Sequence, residues 1–77
     1  MTEPSSAVRT ALVVDDESPL LQLLQEVLEE AGFSATCFGR GQPALDALAA
    51  RRFDILVIDI GLPDMNGMRI CEEARER

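Results

Sequence analysis

Residues 10–16 read TALVVDD, an uninterrupted apolar run that stops abruptly at two aspartates. Residues 55–59 read ILVID and repeat the pattern with one aspartate. Short apolar runs without polar alternation are typical of strands that are buried on both faces of a parallel sheet. Both runs are therefore predicted to be strands with two buried faces, and Asp15, Asp16 and Asp59 are predicted to lie at their carboxyl ends.

Helical patterns alternate with these strands along the chain. Ser18 and Pro19 combine an N-cap residue with a first-turn proline, and Gly32 ends the apolar periodicity that follows. The remaining predicted elements are a strand at 33–38, an alanine-rich helix at 44–51 and a last helix from Met68, capped by Asn66. The order βαβαβα predicts an α/β fold with right-handed crossovers and a parallel sheet in the order 2-1-3.

The composition is that of one small domain. The chain has 77 residues, of which 47% are hydrophobic and 27% charged, and its net charge is -7. Residues 1–7 are mostly small and polar, so we expect a disordered lead-in before a domain at 8–77. Because no apolar run approaches the length of a membrane span and no signal-peptide pattern occurs, we expect a cytoplasmic protein with no membrane partner.

The residue types that the sequence lacks exclude several chemistries. All seven basic residues are arginine, so there is neither lysine nor histidine for an imidazole base, a Schiff base or a histidine-rich zinc site. The 14 acidic residues argue against direct nucleic acid binding, which depends on clustered basic side chains. Cys37 and Cys71 have no metal-ligand spacing and are interpreted as reduced, packed thiols.

The predicted strand order brings the carboxylates of Asp15, Asp16 and Asp59 to one edge of the sheet, at the crevice where α/β folds bind ligands. Two unit charges about 4 Å apart repel by about 4 kcal/mol at an effective dielectric near 20. A bound divalent cation or protonation of one carboxyl would relieve that repulsion. Oxygen-only ligands favour Mg2+ over zinc, so a magnesium site is the main hypothesis.

Two motifs resemble those of the response regulator receiver domain of bacterial two-component signalling, which has a flavodoxin-like fold. Residues 13–17 (VVDDE) look like its acidic pair, and residues 59–67 (DIGLPDMNG) look like its phosphoacceptor segment. The resemblance implies that Asp59 accepts a phosphoryl group from a histidine kinase. It also implies that Asp16 and Asp59 bind Mg2+ directly, Asp15 largely through water, and Gly61 through its backbone carbonyl. Such a chain is a signalling phosphoacceptor and not an enzyme.

The sequence departs from the family pattern in length. Receiver domains normally carry two further strands, which contribute a Ser or Thr and a Lys, and we expect a partial domain truncated after the third helix. One alternative is a chain that acts only by self-association, as a homodimer formed by strand-edge pairing or a domain-swapped assembly. A flavin protein or phosphohydrolase is the least favoured alternative, because residues 15–17 would repel a phosphate.

Several other features have simpler interpretations. Asp64 and Glu17 lie near the site and could tune its affinity for a cation, but solvated charges at the rim explain them equally well, and Asp64 is not included among the site residues. The first helix carries an apolar stripe that is predicted to face the core, although in the family that helix helps to receive the kinase. The members of the stripe are Leu20, Leu23, Leu24, Val27, Leu28 and Ala31.

Overall fold

A computed structural model describes residues 8–76 of the chain. Its elements are β1 (Arg9–Val14), α1 (Ser18–Glu30), β2 (Phe33–Phe38), α2 (Gly41–Ala50), β3 (Ile55–Ile58) and α3 (Met68–Arg75). The predicted order βαβαβα is confirmed, and the bounds of β2 and β3 are those predicted. The lead-in predicted at 1–7 lies outside the described residues, as does Arg77.

The sheet is parallel, with the strand order β2-β1-β3 that the sequence predicts. In the central strand β1, the side chains from Ala11 to Val14 are fully buried on both faces. The prediction of burial on both faces is wrong for β3, where Ile55 is 37% exposed. The reason is position, because β3 forms an edge of the sheet within residues 8–76 and has a strand neighbour on one side only.

The two faces of the sheet differ in how well they are covered. Alternate residues of β1 point to opposite faces, and those on one face join α2 and α3 in the hydrophobic core. This core consists of Leu12, Val14, Ala44, Leu48, Leu62 and Ile70. Helix α1 packs against β1 and β2 and, within the described residues, contacts neither α2 nor α3, so it lies on the other face.

Helix α1 is only partly covered on its apolar stripe. Leu23 and Val27 are each 54% exposed and Leu20 is 39% exposed, so the prediction that the whole stripe faces the core is wrong. Amphipathic periodicity shows which side of a helix is apolar, but it does not supply the element that packs against that side. The stripe is therefore the largest apolar surface that α1 leaves in contact with solvent.

The helix ends follow local chemistry with small corrections. Glu17, and not Ser18, is the N-cap of α1, while Pro19 lies in its first turn as predicted. Gly32 has φ +97°, a left-handed conformation that favours glycine, and it ends the helix as expected. Helix α2 starts at Gly41, earlier than predicted. Among the helices of residues 8–76, none is long and apolar enough to cross a membrane.

The two cysteines are free thiols, as the sequence predicts, and both are partly buried. Burial raises the pKa of the Cys37 thiol above its usual value, and the negative charge of Glu29 raises it further. A raised pKa lowers the fraction of reactive thiolate at neutral pH. The environment of Cys37 is therefore that of a packing residue.

Candidate functional site

Backbone hydrogen bonds between the strands place Asp15 and Asp59 at the carboxyl edge of the sheet, where they form the acidic cluster together with Asp16. The backbone N–H of Asp15 donates to the carbonyl of Phe38 at 3.1 Å, and the N–H of Asp59 donates to the carbonyl of Val14 at 2.8 Å. These bonds continue the pairing of β1 with β2 and of β3 with β1 by one residue. The two aspartates therefore leave the sheet side by side.

The side chains of Asp15, Asp16 and Asp59 converge, as the predicted topology requires. One carboxylate oxygen from each lies within 4.8 Å of the others. Asp15 is 9% exposed and Asp59 is half-buried, whereas Asp16 is exposed. The site thus has a buried base and an open, solvent-facing side.

Local hydrogen bonds orient two of the three carboxylates. Asp15 accepts a bond from the backbone N–H of Glu17 at 2.9 Å, and Asp59 accepts one from the N–H of Gly61 at 3.2 Å. Each bond engages Oδ1 of the carboxylate and connects it to a residue two positions later, as in an Asx turn. Asp59 and Gly61, both expected at the site, are therefore in direct contact.

The donor set of this cluster fits Mg2+. Magnesium takes oxygen ligands at about 2.1 Å in an octahedron, so opposite ligands lie about 4.2 Å apart and adjacent ones closer. A spread of 4.8 Å among the three oxygens approaches that size, and Asp16 is exposed and can rotate inward. With neither lysine nor histidine in the sequence, the repulsion among these carboxylates is best answered by a bound cation.

The loop after Asp59, residues 61–67, is folded back on itself. Gly61 and Asn66 form an antiparallel bridge, and the N–H of Gly67 donates to the carbonyl of Ile60 at 2.8 Å. A Cβ at position 67 would overlap the carbonyl oxygen of Asp59, so this close approach requires glycine. We call residues 61–67 the acceptor loop.

Asn66 connects the acceptor loop to α3. Its Oδ1 accepts a hydrogen bond from the backbone N–H of Met68 at 2.8 Å, which satisfies one of the free donors at the start of the helix. The N-cap position itself belongs to Gly67, one residue later than predicted. Leu62, in the same loop, is 8% exposed and belongs to the core.

Asp64 has a contact that the sequence interpretation missed. Its two carboxylate oxygens accept hydrogen bonds from the backbone N–H groups of Gly41 at 2.7 Å and Gln42 at 2.9 Å. These bonds, first that of Gly41 and then that of Gln42, lower the pKa of Asp64 below its usual value, and the charge of Arg40 acts in the same direction. Asp64 therefore caps α2 and is more than a solvated rim charge.

A signal for this contact was present at the start of α2. The residue at its N-cap position is Arg40, whose side chain makes no capping bond, and Gly41-Gln42 carry N–H groups without an intrahelical acceptor. A helix start that lacks its own Ser, Thr, Asp or Asn needs an acceptor from elsewhere. The sequence indicates that need but not which distant residue meets it.

Comparison with known proteins identifies the family. A family model, the response regulator receiver domain, matches residues 11–77. The chain belongs to this family. The receiver domain (CheY-like) from Methylobacillus flagellatus superimposes with a TM-score of 0.83 at 32% sequence identity, and the match covers 92% of this chain and 60% of that one. The fold is therefore the flavodoxin-like receiver fold that the sequence predicts.

Two further similar structures are complexes of the response regulator protein TrrA. TrrA from Thermotoga maritima in complex with Mg(2+)-BeF has a TM-score of 0.81 at 32% identity, covering 88% of this chain and 59% of that one. TrrA in complex with the histidine kinase ThkA has a TM-score of 0.80 at 32% identity, covering 90% of this chain and 60% of that one. This chain thus spans about three fifths of the length of the receiver structures it matches.

Proposed function

We propose that this receiver chain is the phosphoacceptor of a two-component phosphorelay, and that Asp59 takes the phosphoryl group. The observation that carries the proposal is the convergence of Asp15, Asp16 and Asp59 within 4.8 Å at the carboxyl edge of the sheet. Of the three, Asp59 leads into the acceptor loop and lies half-buried between the sheet and the solvent. The Asp59 carboxylate is therefore accessible to a phosphodonor and is also held in a fixed orientation.

The proposed step needs no general base. A carboxylate oxygen of Asp59 is itself the nucleophile and attacks the phosphorus of a phosphohistidine in line with the leaving nitrogen. The new bond joins the aspartyl oxygen to phosphorus, the P–N bond breaks, and its electron pair stays on the imidazole nitrogen. The products are an acyl phosphate on Asp59 and an unphosphorylated histidine on the kinase.

Magnesium fits this site as the cofactor of the proposed step. Asp16 and Asp59 would bind it directly, Asp15 largely through water, and Gly61 through its backbone carbonyl. When bound, Mg2+ neutralises the charge of the transferring phosphoryl oxygens. The chain itself holds the carboxylate ligands in place. The N–H of Gly61 orients the carboxylate of Asp59, and the N–H of Glu17 orients that of Asp15.

A histidine kinase is the proposed phosphodonor. The support is the ThkA–TrrA complex, in which a protein similar to this chain is bound to a histidine kinase. We further propose a cytoplasmic location, no direct contact with nucleic acid, and a role as a phosphoacceptor and not as a turnover enzyme. The absence of lysine and histidine from the sequence supports the last point.

Labelling with a small phosphodonor tests the proposal directly. The chain is incubated with acetyl phosphate, with and without Mg2+, and intact mass spectrometry measures the addition of one phosphoryl group. Borohydride reduction, which converts an aspartyl phosphate to homoserine, then locates the site by peptide mapping. We expect Mg2+-dependent labelling at Asp59. Labelling at another residue, or no labelling at saturating Mg2+, would contradict the proposal.

Self-association is a second candidate function, and exposed apolar side chains favour it. Leu23 and Val27 on α1 are each 54% exposed, and Ile55 on the edge strand β3 is 37% exposed. An uncovered strand edge can pair with a second copy, and an uncovered helix face can dock or swap. Light scattering measures the outcome: a concentration-dependent dimer supports this candidate, and a monomer at all concentrations contradicts it.

A further inference from the structure

The first turn of α2 leaves backbone donors that its own residues do not satisfy. The N-cap residue Arg40 makes no side-chain capping bond. Pro43 has no N–H, so Gly41 and Gln42 carry the free donors of the first three helical residues. Both N–H groups point to Asp64 in the acceptor loop and not to a neighbour in sequence.

The tip of the acceptor loop is docked onto this turn at two successive residues. Asp64 bonds both free donors, at 2.7 Å and 2.9 Å. The side chain of Met65 lies over Gly41, where a Cβ would come within 2.5 Å of its Cγ and 2.6 Å of its Sδ. Gly41 is buried. Two hydrogen bonds to Asp64 and an apolar contact of Met65 thus hold the tip of the loop against α2.

The other end of the same loop is part of the acidic cluster. Gly61 donates its N–H to the carboxylate of Asp59, and Gly61 pairs with Asn66 across the base of the loop. The loop is thus closed at its base by this pairing and docked at its tip on α2. The bonds made by Asp64 therefore dock the same loop whose base places Gly61 beside Asp59.

We propose that Asp64 is a positioning residue for the phosphoacceptor site, because it fixes the acceptor loop to α2 and so holds Gly61 and Asp59 in a metal-binding arrangement. This inference rests on the proposed function. Asp64 is not a member of the carboxylate cluster and its oxygens are engaged by α2, so it acts through the loop. Loss of a group that hydrogen-bonds a metal ligand directly typically weakens metal affinity about 10-fold to 100-fold, and Asp64 acts one contact further out, so the lower figure is expected.

The test measures Mg2+ affinity by isothermal titration calorimetry, without a phosphodonor. Asp64→Ala removes the charge and both bonds, whereas Asp64→Asn removes the charge but keeps one oxygen that can accept a backbone N–H. Asp46→Asn is the matched control, because Asp46 is an exposed carboxylate on α2 and its loss changes the net charge equally. Amide hydrogen exchange at Gly61 and Asn66 measures the order of the loop directly.

We expect Asp64→Ala to weaken Mg2+ binding about 10-fold, with faster exchange at Gly61. Asp64→Asn should recover part of both losses, and Asp46→Asn should stay close to the unsubstituted chain. If circular dichroism shows that Asp64→Ala is unfolded, only Asp64→Asn is compared with Asp46→Asn. In that comparison, slower loop exchange in Asp64→Asn, or Mg2+ affinity equal to that of Asp46→Asn, overturns the inference.

The inference and the proposed function fail in different ways. If the unsubstituted chain binds Mg2+ but the Asp64 variants match Asp46→Asn in affinity and in exchange, Asp64 has no positioning role and the proposed function stands. Equal losses in Asp64→Ala and Asp64→Asn, without faster loop exchange, would show an effect of charge and also overturn the inference. An unsubstituted chain that does not bind Mg2+ overturns the proposed magnesium site itself.

Discussion

Strand β3 has an aspartate at each end, and the two have opposite surroundings. At the amino end, Asp54 accepts hydrogen bonds from the backbone N–H of Thr10 at 2.7 Å and from its hydroxyl at 3.4 Å. The N–H of Asp54 donates in return to the carbonyl of Thr10 at 2.9 Å. At the carboxyl end, Asp59 lies beside the carboxylates of Asp15 and Asp16.

The difference shows how position in a parallel sheet decides what a carboxylate does. Asp54 meets donors on the neighbouring strand, so its bonds join β1 to β3 and contribute to stability. Asp59 meets like charges, which together attract a cation. A carboxylate that is satisfied within the fold stabilises it, whereas carboxylates gathered against one another leave a negative charge that a cation can neutralise.

The largest expected effect is the loss of labelling in Asp59→Asn. This substitution removes the proposed nucleophile, so labelling by acetyl phosphate should fall to background. Two unit charges about 5 Å apart repel by about 3 kcal/mol at an effective dielectric near 20, less where solvent reaches them, so the melting temperature should stay equal or rise. Mass spectrometry and thermal melts measure the two outcomes, and Asp54→Asn, which should still label, is the control.

The next effect concerns Mg2+ affinity. Asp16→Asn removes one negative ligand from the cluster, and we expect about 100-fold weaker binding in calorimetry. In the unsubstituted chain, Mg2+ at about ten times its Kd should stabilise the fold by about 1.4 kcal/mol, and this gain should vanish in the variant. Unchanged affinity in Asp16→Asn would place the cation elsewhere. Asp46→Asn is again the charge-matched control.

Asp54→Ala should lower stability and leave Mg2+ affinity unchanged, whereas Asp16→Asn should mainly weaken Mg2+ binding. Asp54→Ala breaks the bonds to Thr10 that join β1 to β3, and we expect a loss of about 1 kcal/mol in the free energy of unfolding, since the contact is exposed. Mg2+ affinity of the folded protein should be unchanged. Urea unfolding and calorimetry measure both quantities, and a large loss of Mg2+ affinity in the folded variant would erase the contrast between the two ends of β3.

The smallest expected effect is a change in acid stability at Asp64. The pKa of this carboxyl lies below its usual 3.8, chiefly because the N–H of Gly41 bonds the ionised form and then because that of Gln42 does. Its contribution to stability is therefore complete above the unfolded pKa and is lost as the pH falls through the folded one. Thermal melts of Asp64→Asn should vary less with pH below about pH 4 than those of the unsubstituted chain.

Asp46→Asn is the control for the thermal melts at acid pH, because it removes a carboxylate that makes no bond to the N-terminal backbone of α2. Its melting temperatures should follow those of the unsubstituted chain across the acid range. If the Asp64 and Asp46 variants gave the same curve, the capping bonds of Asp64 would contribute nothing measurable to acid stability.

Much of the fold could be predicted because its signals are local. The bounds of β2 and β3 match their apolar runs, and Gly32 ends α1 where the periodicity stops. The gathering of Asp15, Asp16 and Asp59 also followed from the sequence, since parallel strands present their carboxyl ends at one edge. The role of Gly61 as a ligand stays a prediction, as does Mg2+ itself.

What the sequence could not give depends on contacts between distant residues. The exposure of Leu23 and Val27 is decided by which elements pack against α1, and periodicity records only the apolar side of the helix. The sequence places Asp64 near the site, where a solvated charge explains it as well as a role at the cation does. Its partners, Gly41 and Gln42, become neighbours only when the acceptor loop docks on α2.

The sequence by itself determined the order of the elements and the edge of the sheet at which the acidic residues would meet. Both follow from short-range patterns, because an apolar run, a cap or a glycine acts on its immediate neighbours. Tertiary structure alone decided which of the other carboxylates are satisfied by distant hydrogen-bond donors. Asp54 accepts hydrogen bonds from Thr10 and Asp64 accepts them from α2, because hydrogen-bond donors are assigned by packing in space and not by distance along the chain.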